Sequence, residues 1–305
     1  MTIAIISHPD CALHNAGENH PESPERIQVI QTALAEATSS LPITFYTAPL
    51  ATREQLITTH ETTYVDWIFS IAPKEDLISV DADTWMNPYT LSAALHAAGA
   101  VILAVDLLMQ HKAKVAFCNI RPPGHHAEVD RAMGFCFFNN VAIGVMHALQ
   151  VYHLERIAII DFDVHHGNGT QTIFQTDKRV LYCSSFQHPF YPGYDEELNN
   201  KHILNVPLTV ETTSESFRQQ IEAAWFDQLA IFQPQCIFFS AGFDAHADDP
   251  LANLNLTKAD YVWLTTQIAK IAQVHCDGRM ISVLEGGYNL DVLASCVPAH
   301  IKAMV

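Results

Sequence analysis

Ile157-Ala158-Ile159-Ile160-Asp161-Phe162-Asp163-Val164-His165-His166-Gly167-Asn168-Gly169 runs from an apolar stretch into a polar turn without a break. Apolar residues without polar alternation read as a strand buried on both faces, as in a parallel sheet. In open α/β sheets ligands bind outside the carboxyl ends of strands. Alternate residues leaving this end can aim at one point, so Asp163 and His165 can share a metal ion. The same residues also admit a plainer reading, in which Asp161 and Asp163 cap the turn and His165 is a satisfied core histidine, since short motifs often misfire.

Three further clusters weigh against the plainer reading. Arg121-Pro122-Pro123-Gly124-His125-His126-Ala127 follows the apolar Val115-Ala116-Phe117-Cys118 and places two histidines in a loop stiffened by proline. Imidazole titrates near working pH, so such a pair suits proton transfer. Ser240-Ala241-Gly242-Phe243-Asp244, with Asp249-Pro250-Leu251 beyond it, follows Cys236-Ile237-Phe238-Phe239 and offers Asp244 as a third ligand from a third strand end. Glu285-Gly286-Gly287-Tyr288-Asn289-Leu290 follows Met280-Ile281-Ser282-Val283-Leu284. Its paired glycines let the backbone come close to a site, and Tyr288 brings a phenol. Two carboxylates and one imidazole are a fairly hard donor set that leaves room for a water and a carbonyl oxygen, as catalytic zinc requires.

With His20-Pro21-Glu22-Ser23-Pro24-Glu25-Arg26 near the start, these motifs resemble the histone deacetylase family over nearly the whole chain. Asn168, where another large branch of that family has Asp, and Glu285-Gly286-Gly287-Tyr288 are similar to the class II branch and its bacterial relatives, among them acetylpolyamine amidohydrolases. The resemblance implies the arginase/deacetylase α/β fold. It implies Asp163, His165 and Asp244 as ligands of one Zn2+, with Fe2+ as the alternative metal. His126 becomes the general base that later protonates the leaving amine, His125 its electrostatic partner, and Tyr288 the donor to the oxyanion. Asp161 is expected to accept from His125, and Asn168 from His126. A structural K+ is implied at Asp161, Asp163, His165, Ser185 and Phe186.

By the same resemblance, Gly134, Phe135 and Tyr191 wall a narrow tunnel for the alkyl stem of acyl-lysine, with Gly287 beside it. For each aromatic alone, ordinary core packing is the competing reading. Asp83 aligns with a rim aspartate that holds the substrate backbone, although Asp81 stands close by. Arg26 matches an arginine lining an inner acetate channel, against the alternative of a surface helix charge. Some polyamine-selective relatives place an acidic gate where this chain has Leu251, and an apolar residue there suits a neutral acyl-lysine rim. A net charge of −17 attracts cationic substrates of either kind. The stretch Tyr194 to Lys201 departs from the Gly-rich loop usual in the family.

Composition points to one domain over residues 1–305, because α/β architectures run this long and no Pro/Gly/Ser linker divides the chain. Apolar residues make up 49% and charged residues 16%, ample for a large core, and no apolar stretch is expected to near the length of a membrane span. Met1 to Ser7 lacks a basic n-region and reads as a first strand, not a signal peptide. Seven scattered cysteines without a C-x-x-C pair suit buried thiols in a reducing compartment, hence an expected cytoplasmic address.

Helices are expected from the Ser23-Pro24 start through about residue 36, over 88–110, 139–151, 214–232 and 257–275. Interleaved with the strands, they predict a parallel central sheet covered on both faces. His60, His96 and His300 read as surface or satisfied core residues. No basic run suggests direct nucleic-acid binding. The expected activity is removal of acetyl or a related short acyl group from lysine side chains. The alternatives are deacetylation of polyamines or small amines and, from another class, a non-catalytic acyl-lysine reader, against which the intact site residues argue.

Overall fold

The computed structural model describes residues 2–193 and 199–305. Among the described residues, ten strands run in chain order: β1 (Ile3–Ser7), β2 (Ile43–Thr47), β3 (Ile78–Ser79), β4 (Trp85–Met86), β5 (Val115–Cys118), β6 (Ile157–Asp161), β7 (Val180–Gln187), β8 (Ile203–Leu208), β9 (Cys236–Ala241) and β10 (Met280–Leu284). Eight form one sheet in the order β2-β1-β5-β10-β9-β6-β7-β8. Every neighbouring pair in it is parallel, whereas β3 and β4 form a separate antiparallel ribbon.

Side chains alternate across a strand, and each central strand feeds two cores. Ala158 and Ile160 join Phe117, Ile237 and Phe239 in a cluster that includes Ile27, Ile30 and Leu34 of the helix Glu25–Ala37. Ile157 and Ile159 face the opposite side, with Ala116, Phe238 and Ile281, against the helices Thr90–Met109 and Asn140–Val151. This two-sided burial is why the strands are apolar at consecutive positions. It also places β5, β10, β9 and β6 side by side in mid-sheet. These are the four strands that end in the polar motifs, so the carboxyl end of the parallel sheet collects them all.

The structure corrects three expectations. The helix Thr90–Met109 is 20 residues long and apolar enough, by length and composition, to cross a membrane, so an apolar stretch of that length does exist. It carries His96 and Asp106 and is 72% buried over its most apolar window, as suits a core helix packed on several sides. The segment 214–232 is not one regular helix: Ser214–Ile221 passes through a π-helical stretch, Glu222–Phe226, before Asp227–Phe232. The first long helix begins at Glu25, capped by Pro24 without a side-chain cap, so Ser23 does not act as the N-cap. All seven cysteines are buried and unpaired.

Candidate active site

Asp161 is the last residue of β6 and lies level with Ser240 on β9 and Ser184 on β7. Beyond it the chain turns, and the carboxylates and imidazole converge. Asp163 Oδ1 accepts from His165 N at 2.9 Å, and Asp163 Oδ2 from Gly286 N at 2.8 Å. Asp244 Oδ1 accepts from Val164 N at 2.9 Å. His165 Nδ1 lies 3.0 Å from Asp163 Oδ1 and 3.3 Å from Asp244 Oδ2. One donor atom from each of the three falls within 4.8 Å of the others.

Three observations fit a divalent cation to this group. Among the described residues Asp244 Oδ2 is buried without a hydrogen-bond partner, His165 Nδ1 standing 3.3 Å from it, a costly state that a cation would relieve. Burial and the neighbouring Asp163 charge push the Asp244 carboxyl above the usual carboxylate range, against the lowering pull of His165, the sign of two anions crowded together in a buried site. A Cβ at Gly242 or Gly286 would run into these carboxylates, so both glycines are required for the backbone to form this cradle. The donor set suits zinc or a similar ion.

Two histidines stand beside the cradle. His125 Nδ1 lies 3.2 Å from Asp161 Oδ2, which also accepts from the Tyr182 hydroxyl at 2.8 Å. Burial opposes protonation of His125, but the Asp163 and Asp161 charges outweigh it and push its pKa up to about 10. His126 Nδ1 lies 2.8 Å from Asn168 Oδ1, while Asn168 Nδ2 donates to Glu128 Oε1 at 2.7 Å. A carboxylate only accepts, so Glu128 obliges the amide nitrogen to face it and the carbonyl to face His126. Nδ1 of His126 therefore carries the proton and Nε2 the lone pair. Burial, then the charges of His125 and His165, hold the His126 pKa well below its ordinary value.

A pocket with about 440 Å³ of empty space opens over this floor of His125, His126 and His165. Asp83, Gly134, Phe135, Tyr191, Leu251 and Tyr288 line it. Phe135 meets Tyr288 edge-on at 6.3 Å, and Tyr191 meets His126 edge-on at 5.2 Å. Gly134 has φ +58°, and a Cβ there would strike the His126 ring. Asp83, not Asp81, is the aspartate at the pocket, and its Oδ1 accepts from Gly134 N at 2.9 Å. Gly286 lines the pocket where Gly287 was expected. The Gly287 carbonyl instead accepts from Arg26 Nε at 2.7 Å.

Arg26 is fully buried, not a surface charge. Its guanidinium also donates to the Glu285 carbonyl at 2.5 Å and to Glu22 Oε1 at 2.8 Å, and sits 5.2 Å from the Tyr288 ring centre. Ser185 and Phe186 lie on β7 beside β6, and Gln187 N donates to Val164 O at 2.8 Å, so the five residues named for K+ are neighbours. Of the Tyr194 to Lys201 loop, 194–198 fall outside the described residues. His60 and His300 are buried and hydrogen-bonded.

Sequence reasoning assigned no role to several supports. Glu285 Oε2 accepts from Gly124 N at 2.7 Å and His125 N at 3.2 Å, pinning the double-histidine loop. Burial pushes its carboxyl up to about 7. Asp249 Oδ2 accepts from Tyr288 N at 2.7 Å, and Phe190 stacks on His165 at 5.3 Å. Glu22 and Glu285 each stand inside a quoted motif, Phe190 directly precedes Tyr191, and Glu128 sits two residues after His126.

The model of the histone deacetylase domain matches residues 20–304. The chain belongs to the histone deacetylase family. Relatives of this family member include a "Probable deacetylase" of Archaeoglobus fulgidus, 37% identical over 95% of this chain and 82% of that protein. A "Histone deacetylase-like amidohydrolase" of Pseudomonas aeruginosa is 33% identical over 95% of this chain and 78% of its own length. The "Type-2 histone deacetylase 2" of Dictyostelium discoideum is 35% identical over the whole of this chain, which spans only 21% of that protein. Among solved structures, the HDA15 HD domain superposes with a TM-score of 0.91 at 32% identity, over 99% of this chain and 88% of that one. The parallel sheet and its flanking helices are thus the histone deacetylase, or arginase/deacetylase, fold.

Proposed function

We propose that this deacetylase-family chain is a metal-dependent amidohydrolase that removes acetyl or another short acyl group from lysine side chains. One observation carries the reading. A cation-ready cradle, a histidine with its lone pair set by Asn168, and the Tyr288 phenol all meet the floor or wall of one narrow aromatic pocket. Phe135 and Tyr191 provide flat walls for a methylene stem while the amide reaches the floor.

Asp163, His165 and Asp244 would hold the zinc, or iron(II), which when bound would lower the pKa of a water and polarise the acyl carbonyl. His126, neutral through burial, takes a proton from the attacking water at Nε2 and returns it to the leaving amine. His125, held protonated by Asp161 and Asp163, keeps positive charge beside the developing anion. Tyr288 keeps its proton because burial and the Asp244 charge raise its pKa well above the usual range, so its phenol donates to the oxyanion. Arg26 and Asp249 position that phenol from beneath. A structural K+ at the β6–β7 exit belongs to the same reading, as does a cytoplasmic address, which the seven free thiols support.

Acetylated polyamines are the second reading, favoured by the net charge of −17. Profiling metal-loaded enzyme against acetyl-lysine peptides, longer acyl-lysines and acetylated polyamines tests both. Turnover of peptides above polyamines supports the first, and absence of amide hydrolysis on every substrate would exclude an enzyme of this kind.

A further inference from the structure

His8, Asp10 and His96 are far apart in sequence and adjacent in space. His8 directly follows β1, Asp10 sits in the short 3-10 turn Pro9–Ala12, and His96 lies on the helix Thr90–Met109. One donor atom from each falls within 4.8 Å of the others. None of the three lines the active-site pocket. We infer that these residues form a second metal site, selective for a borderline divalent cation such as zinc, that ties the first loop to the long core helix.

The spacing suits that ligand. His8 Nδ1 is 3.4 Å from Asp10 Oδ1, and His96 Nε2 is 3.8 Å from Asp10 Oδ2. Donors about 2.0–2.1 Å from a tetrahedral zinc stand roughly 3.3 Å apart, so small side-chain movements close the set. The outer contacts are those that ligands need. His96 Nδ1 lies 2.9 Å from the Ala48 carbonyl, to which it donates, leaving Nε2 with its lone pair toward Asp10. Asp10 Oδ2 accepts from the Ser92 hydroxyl at 2.5 Å, which holds the carboxylate in place.

His8 is the adjustable member. Its ring stacks on His96 at 3.4 Å and 8°, and binding requires it to tilt so that both lone pairs meet one ion. Its side chain is 21% exposed and that of Asp10 30%, so the open side of the cluster can turn while His96 stays fixed. Tilting gives up the contact from Asp10 N to His8 Nδ1, which is 3.1 Å long. Two imidazoles and one carboxylate match zinc better than calcium or magnesium, which favour all-oxygen sets. The loop so held includes the Cys11 and His14 carbonyls, both of which accept from buried Arg121 at 2.9 Å.

Equilibrium dialysis of the full chain against zinc, followed by elemental analysis, tests the site. The parent should hold two ions per chain. Asp10→Asn, which keeps a partner for Ser92, should hold one and retain deacetylase turnover, and His8→Ala gives an independent variant expected to do the same. Asp244→Ala should also hold one, and zinc should still raise its melting temperature, an effect that Asp10→Asn in the same background abolishes. A parent that binds a single ion, lost in Asp244→Ala and kept in Asp10→Asn, would overturn the second site while leaving the catalytic one standing.

Discussion

Asn168 stands between a base and an acid: its Oδ1 is 2.8 Å from His126 Nδ1 and its Nδ2 2.7 Å from Glu128 Oε1. The His126 tautomer is thereby set from two residues away, by a carboxylate that does not touch the pocket. Glu128 is in turn held by Arg131 at 3.2 Å. Because outer partners of this kind typically carry 10–100-fold in activity, Glu128→Ala should lower kcat about tenfold with KM little changed. Glu128→Gln retains an acceptor for Asn168 and should recover most of the loss. Equal damage in both variants would show that the carboxylate charge, not the amide's orientation, is what matters.

Removing a cradle ligand separates binding from chemistry. Asp244→Ala should lose both the active-site metal under dialysis and detectable turnover, since the remaining Asp163 and His165 leave too few protein donors. Elemental analysis beside an activity assay checks this. A variant that keeps the active-site ion as tightly as the parent would remove Asp244 from the ligand set.

Tyr288→Phe removes one hydroxyl from a wall that Arg26 and Asp249 hold in place. The lost contact forms mainly in the transition state, so kcat should fall by roughly 10²–10³, about 2.7–4 kcal/mol, with KM nearly constant. Steady-state kinetics at saturating metal reads it directly.

How much of this was legible in the sequence follows from burial. β6 announces itself because its apolar run is continuous and ends in Asp161. β2 does not, since it is an edge strand whose residues are partly or well exposed, and Ile43-Thr44-Phe45-Tyr46-Thr47 shows no core pattern. β8 was hidden by Asn205 and Pro207, a residue that an edge strand tolerates. Along Thr90–Met109 the small residues show no single apolar stripe because the helix is packed on several sides. The residues on strand ends were readable because each motif is local. The contact between Asn168 and Glu128 spans 40 residues, and that between Glu22 and Arg121 spans 99. Only the fold brings such pairs together.

Glu22 carries a stability prediction. It is buried between Arg26 at 2.8 Å and Arg121, whose Nη2 donates to Oε2 at 2.6 Å, with His14 Nε2 at 3.5 Å. Burial would raise its pKa, but the Arg121 charge and its other partners win and hold it well below the ordinary 4.5. A depressed folded pKa contributes stability that is fully present above 4.5 and lost as pH falls through the folded value. Glu22→Gln should therefore cost about 3–5 kcal/mol near neutral pH, because two buried guanidinium groups lose their anion. The gap between parent and variant should stay flat from pH 7 to about 5 and narrow in stronger acid. Denaturant melts across that range decide it.

Substrate choice should rest on the mouth of the pocket. Leu251 lines it, and the carboxylate nearest in sequence, Asp249, already accepts from Leu251 N at 3.0 Å, Tyr288 N at 2.7 Å and Asn289 N at 3.3 Å. Asp83 also lines the mouth, but its Oδ1 takes Gly134 N and the Thr84 hydroxyl, each at 2.9 Å. An ammonium group entering here meets an apolar side chain and carboxylates largely occupied by the protein's own donors. The parent should therefore prefer acetyl-lysine peptides to acetylated polyamines. Leu251→Glu puts an uncommitted carboxylate in a partly closed mouth, where a facing cation gains more than in a screened surface pair. The ratio of kcat/KM for polyamine over peptide should rise about tenfold, or about 1.4 kcal/mol. Measuring both substrates on both proteins is decisive: a parent that already favours polyamines, or a ratio unmoved by the glutamate, would place selectivity away from Leu251.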